Sequence, residues 1–130
     1  DWPIKKNFAM TGSNFLVDTN FFNLSAEGHK SITPYLNNNY FISEITEIEM
    51  LGVKGLNLNT STSQAANRKL IVVNFNSDIK EIAIRIKQKS TIKLADAIVP
   101  GSAMHMSFPL VTADKDFSKI ARLELQLLKL

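Results

Sequence analysis

Four acids in this chain have the type and placement to bind a cation: Asp18, Glu49, Asp96 and Asp114. Asp18 and Asp114 each follow a short apolar run, in Leu16-Val17-Asp18-Thr19-Asn20 and in Leu110-Val111-Thr112-Ala113-Asp114-Lys115-Asp116-Phe117. Glu49 and Asp96 fall near expected helix starts. Asp96 lies within Leu94-Ala95-Asp96-Ala97-Ile98-Val99, where an unpaired carboxylate is costly. A bound cation would offset that cost. Magnesium takes hard oxygen ligands, usually a few carboxylates, waters and substrate phosphate. Without a cation, clustered carboxylates repel one another and some of their pKa values rise. With one, a bound water becomes a better nucleophile and a leaving oxygen is stabilised, and two ions about 4 Å apart would do both symmetrically.

Each acid also has a plainer reading. Asp18 would end a strand or form an Asx turn. Glu49 would answer Thr46 in a capping box, and Asp96 would cap its helix. Asp116 reads more simply as the cap of a short helix at Phe117 than as a ligand. Glu27, Glu44, Glu47 and Glu81 read as solvated charges. It is the order and spacing of the motifs that lifts them above these readings.

The acids require a scaffold that gathers strand ends. Phe15-Leu16-Val17 reads as a buried strand stopping at Asp18. A helical stretch follows Asn20, and Pro34 falls in an early turn of another. Asn37-Asn38-Asn39 marks a turn before a second strand, Tyr40 to Ser43. Thr46-x-x-Glu49 and Asp78-x-x-Glu81 both match capping boxes at helix starts. Gly52 and Gly55 close the first of these helices, and the polar stretch Asn57 to Asn67 reads as loop with part of a helix. Leu70 to Val73 plus Phe75 form the third strand. Ile79, Ile82, Ala83 and Ile86 follow at amphipathic helical spacing. Leu94 to Met106 is an apolar helix, Pro109 to Thr112 a fourth strand, and Leu123 to Leu128 a last one. Strands alternating with helices predict an α/β fold. The expected form is a three-layer sandwich with a mostly parallel sheet of four to five strands and helices on both faces. Residues 1–13 carry no period and read as a loose extension, with Met10 a candidate natural start and 14–130 the domain.

Bulk properties agree with one ordinary domain of 130 residues. The chain is 45% hydrophobic and 21% charged, so disorder throughout is excluded. It contains no cysteine, which excludes disulfides and thiolate metal sites and suits a reducing, cytoplasmic setting. No apolar run is long enough for a membrane span, and no signal peptide is visible. A net charge of +3 and a pI near 9.2 are compatible with a polyanionic partner. Lys115 and Lys119 flank Asp116 and are candidates to touch such a polyanion, as is Arg68 beside Lys69. Lys80, Arg85, Lys87, Lys89 and Lys93 read as a solvated helix face, with phosphate contact the alternative. His29 and His105 show no ligand spacing, and nothing is assigned to Trp2. No phosphate-cradling glycine loop or Ser/His/Asp set occurs.

Taken together, four stretches resemble PIN domains, and within them the VapC-type toxins of bacterial toxin–antitoxin pairs. These are Phe15-Leu-Val-Asp18-Thr-Asn20, Tyr40-Phe-Ile-Ser43-Glu-Ile-Thr46-Glu-Ile-Glu49-Met-Leu51, Leu94-Ala-Asp96-Ala-Ile98 and Leu110-Val-Thr112-Ala-Asp114-Lys-Asp116-Phe117. They span the chain from Phe15 onward. The resemblance implies an acidic quartet of Asp18, Glu49, Asp96 and Asp114, with Asp18, Asp96 and Asp114 holding metal and Asp116 accessory. Glu49 is chosen over Glu47 because it lies three residues past Thr46. Asn20, Ser43 and Thr112 would hold the carboxylates by hydrogen bonds. The resemblance further implies magnesium- or manganese-dependent endoribonuclease activity, a homodimer, and a cognate antitoxin that blocks the site.

Two features depart from the pattern. Pro100 and Gly101 fall where the family has small helix formers, and Pro100 cannot donate to the carbonyl of Asp96. The Asn57 to Asn67 stretch is unusually polar. These features motivate an alternative, a catalytically decayed binding module. A phosphoryl-transfer domain using Asp18 as nucleophile is a third reading, weakened because Thr19-Asn20 replaces the Asp-x-Asp-x-Thr pattern.

Overall fold

Apolar runs and helical periods alternate along the chain, and the elements follow them. In a computed structural model they are β1 (Asn14–Val17), α1 (Thr19–Ala26), a 3-10 helix (Lys30–Tyr35), β2 (Asn39–Ser43) and α2 (Glu44–Leu51), followed by β3 (Leu70–Val73), α3 (Ser77–Gln88) and α4 (Leu94–Met106). β4 (Leu110–Thr112), a second 3-10 helix (Lys115–Lys119) and β5 (Leu125–Leu127) complete the order. The structure describes residues 2–3, 14–35, 38–53 and 70–130. Arg68, Lys69 and the Asn57 to Asn67 stretch lie outside the described residues, as does most of the expected N-terminal extension. No helix among the described residues is long and apolar enough to cross a membrane.

The five strands form one sheet in the order β3-β2-β1-β4-β5, and all four pairings are parallel. Side chains alternate across each strand, so one run of residues feeds two cores. Leu16, Phe41 and Leu110 face α3 and α4, meeting Ile79, Ile82, Ile86 and Ala97. Phe15, Val17, Tyr40, Ile42 and Val111 face the other way, against Phe21 and Phe22 of α1 and Ile32 of the first 3-10 helix. Burial on both faces explains why the strands read as continuous apolar runs rather than alternating ones. The sheet is thus wholly parallel, five-stranded and covered on both sides.

Both expected capping boxes are replaced by caps that lie further upstream. Ser43 caps α2, its hydroxyl accepting from the Ile45 amide at 3.2 Å. Thr46 is consequently inside the helix, fully buried, and its Oγ1 has no hydrogen-bond partner among the described residues. Asn76 caps α3, its Oδ1 accepting from the Ile79 amide at 2.8 Å, so Asp78 belongs to the first turn. In each case a short polar side chain at the strand-to-helix junction reaches the free amides first. Phe75 lies beyond the end of β3 and is exposed. α4 runs unbroken through Pro100, with Asp96 in its first turn, upstream of the missing bond. Gly101 brings α4 close to α3: a Cβ there would lie 3.5 Å from the Ile79 carbonyl oxygen.

Candidate active site

The strand order turns at β1, which has β2 on one side and β4 on the other. Connections leave these strands in opposite directions, opening a crevice at their carboxyl ends. Asp18 and Asp114 follow those two ends. Asp18 sits at the N-cap position of α1 in extended conformation, without capping that helix through its side chain. It is 8% exposed. The Thr112 hydroxyl donates to its Oδ2, while Oδ1 is buried with no hydrogen-bond partner among the described residues. Burial pushes the Asp18 carboxyl above its ordinary pKa, and the negative charge of Asp114 adds to that. The Thr112 hydroxyl and the Phe21 and Asn20 amides oppose it.

Thr112 links two of the acids. Its oxygen also accepts from the Asp114 amide at 3.1 Å. Asp114 in turn caps the second 3-10 helix, accepting from the Asp116 amide at 2.9 Å. The cap is therefore Asp114, not Asp116, and Asp116 is left exposed. Asp96 approaches from the first turn of α4. Burial raises its pKa first, then Asp114 and Asp116, against the lowering effect of Lys93. A cleft of about 320 Å³ is lined in part by Ser90, Lys93, Asp96, Asp114, Asp116 and Lys119, and Asp18 lies outside its lining.

The remaining candidates stand differently. Glu49 is exposed on α2, where the Thr19 hydroxyl donates to it at 3.5 Å. It is not among the charges acting on Asp18 or Asp96. The Asn20 side chain is exposed, and its backbone amide is what faces Asp18. Ser43 caps α2 and so sets the helix that carries Glu49. Lys115 is exposed beside the cleft and Lys119 lines it. Lys93, which the sequence groups with a solvated helix face, sits instead on the cleft rim. Its spacing of three from Asp96 at a helix start is the signal for that.

Residues 15–123 match the family model described as the PIN domain. The chain belongs to the PIN domain family. Among curated proteins, none matches it in sequence. Its fold is similar to a toxin–antitoxin complex from Klebsiella pneumoniae at 27% identity and TM-score 0.72, covering 88% of this chain and 98% of that one. It also resembles VapBC2 from Rickettsia felis bound to a promoter DNA fragment, at 19% identity and TM-score 0.74, over 89% of this PIN domain and 99% of that chain. A third likeness is to VapBC-5 from Mycobacterium tuberculosis, at 12% identity and TM-score 0.62, over 92% and 100% of the two chains.

The crevice of this PIN domain fits a hard divalent cation. Its donors are carboxylate oxygens, the preferred ligands of such ions. One of them, Asp18 Oδ1, is buried without a partner. Asp114 raises the proton affinity of both Asp18 and Asp96, a strain that positive charge relieves. Among the described residues, no three acids are already drawn into a single ion-binding set.

Proposed function

We propose that this PIN domain is a magnesium- or manganese-dependent endoribonuclease, the toxin of a toxin–antitoxin pair. The observation that carries this reading is Asp18 Oδ1, buried at the carboxyl ends of β1 and β4 without a hydrogen-bond partner among the described residues, with the charge of Asp114 acting on the same carboxyl. Asp18, Asp96 and Asp114 would hold the ion. When bound, it would supply a water of lowered pKa and neutralise charge on the leaving oxygen.

The chain's own groups have separable tasks. Thr112 fixes the Asp18 carboxylate through one hydroxyl and positions the Asp114 backbone through the same oxygen. Glu49, exposed on α2 and hydrogen-bonded by the Thr19 hydroxyl, would serve as the fourth acid. Asp116 adds negative charge beside Asp96. Lys115 and Lys119 would hold substrate phosphates against the acids, and Arg68, outside the described residues, is a further candidate. The likeness to the Klebsiella pneumoniae toxin–antitoxin complex supports a protein antitoxin as partner. A homodimer is expected with it.

The test is cleavage of a mixed RNA pool by the wild-type protein and Asp96→Asn, each with manganese, magnesium or a chelator. Cutting that requires metal and disappears in the variant supports the reading. Metal-independent cutting, or full activity in Asp96→Asn, refutes it. The second reading, a decayed binding module, is favoured by the exposed position of Glu49. Calorimetry separates the two, since a decayed site would take up neither ion at millimolar concentration.

A further inference from the structure

Trp2 is the chain's only tryptophan, and three cations surround its ring. The Arg85 guanidinium lies 5.3 Å from the ring centroid, the Lys89 ammonium 5.7 Å and the Arg122 guanidinium 5.7 Å. They come from α3, from its C-cap and from the bend before β5, so the tertiary fold brings them together. Trp2 itself is half-buried against the core beneath α3 and α4, and the His105 ring meets the adjacent Pro3 carbonyl at 3.1 Å. The ring is therefore held in place rather than waving in solvent.

Two features of the cluster oppose folding and point to a ligand. Three like charges around one ring repel one another, although the ring face attracts each of them. Among the described residues the one carboxylate paired with them is Glu81, 3.7 Å from Arg85. Lys89 and Arg122 remain exposed. Arg122 also holds φ at 67, a left-handed conformation unfavourable for a long side chain. An anion would relieve the first cost and use the geometry secured by the second.

The cluster adjoins the acid cleft. Lys89 is bonded to Ser90, which lines that cleft, and Arg122 is two residues past Ile120, which also lines it. Two peptide units span at most about 7 Å, so the Arg122 backbone lies within that distance of the cleft lining. Lys93 and Lys119 continue the positive charge along the cleft rim. Resting on the ribonuclease reading, we infer that Trp2, Arg85, Lys89 and Arg122 bind the phosphate backbone of single-stranded RNA flanking the scissile bond. Trp2 spaces the cations, and the cations neutralise successive phosphates.

Because Trp2 is the sole tryptophan, its emission reports on this site alone. The experiment adds a short end-labelled oligouridylate to the wild-type protein in chelator, where the ribonuclease reading allows no cutting. Trp2 emission and label anisotropy are followed together over a range of salt. The expected result is that both signals move together. Lys89→Gln with Arg122→Gly should weaken binding about tenfold near 0.1 M salt and flatten the log–log salt slope by roughly 1.4, or about 0.7 for each phosphate left without its cation. Arg122→Gly relieves the positive φ, so the variant should fold, and an unchanged melting temperature checks this.

Binding that leaves Trp2 emission unmoved, or that the double variant keeps intact, overturns the inference and leaves the nuclease reading standing. Absence of binding overturns it too, and the separate metal-dependent cleavage assay then judges the nuclease. Emission that responds to polyglutamate but not to oligouridylate overturns it in favour of an acidic polypeptide. Emission that follows RNA in a protein that never cuts supports the site and removes the nuclease reading.

Discussion

The acid crevice and the α3–α4 layer are built on opposite terms. In the α3–α4 layer, local and global preferences agree. Asn76 caps α3, its isoleucines repeat at helical spacing, and Ile79 and Ile82 are fully buried. At the crevice they conflict. Asp18 is buried with one oxygen unpartnered, Thr46 Oγ1 is likewise unpartnered, and Asp96 sits where Asp114 and Asp116 repel it. The sandwich layer is where sequence and fold reinforce each other, while the crevice holds groups that suit a ligand better than they suit the empty fold.

That contrast can be broken at either region. The largest expected effect is at the crevice: Asp114→Asn should lower metal-dependent RNA cleavage roughly 10² to 10³-fold while leaving the melting temperature nearly unchanged. Parallel rate and melting measurements check this. Next, Ile82→Ala in α3 should cost about 3 kcal/mol of stability, read by urea unfolding, and should act on cleavage only through the folded fraction.

A smaller effect sharpens the comparison through pH. Asp96 has a folded-state pKa above its ordinary value of 3.8. The folded protein therefore binds this proton more readily than the unfolded chain. Metal-free stability should fall as pH rises through the window between the ordinary and the raised value, then level off above it. Asp96→Asn should lose that fall and melt higher than the wild-type protein above the window. Scanning calorimetry across pH would show whether the difference closes below the window, as expected. The smallest effect is at Gly101. A Cβ there would meet atoms of α3 at 3.5 to 3.7 Å, ordinary contact distances. Gly101→Ala should accordingly stabilise by up to about 1 kcal/mol, measured by urea unfolding.

The central strands are legible in the sequence because both their faces are buried, which leaves an unbroken apolar run ending at a polar residue. The same run ends locate Asp18 and Asp114, since a parallel sheet gathers its carboxyl ends on one side. Asp96 stands out because its neighbours Leu94, Ala95, Ala97 and Ile98 are all apolar, although a helix start by itself also favours a carboxylate. The caps are less legible for a physical reason. Thr46 and Asp78 match a spacing rule, but Ser43 and Asn76 reach the free amides first, and spacing cannot rank two competitors. The position of Asp116 before Phe117 suggests a cap, whereas Asp114 already accepts from its amide. The Trp2 cluster leaves no signal, because Trp2 and Arg122 are 120 positions apart and only the fold makes them neighbours.

The most direct test of cation sharing in the crevice is a carbon-detected NMR titration of the Asp18 and Asp96 carboxyls, with and without saturating magnesium. Without the ion, both should titrate above their ordinary value of 3.8, and with it both should fall below their metal-free values. Titrations that are the same in both conditions would contradict a cation held by these acids.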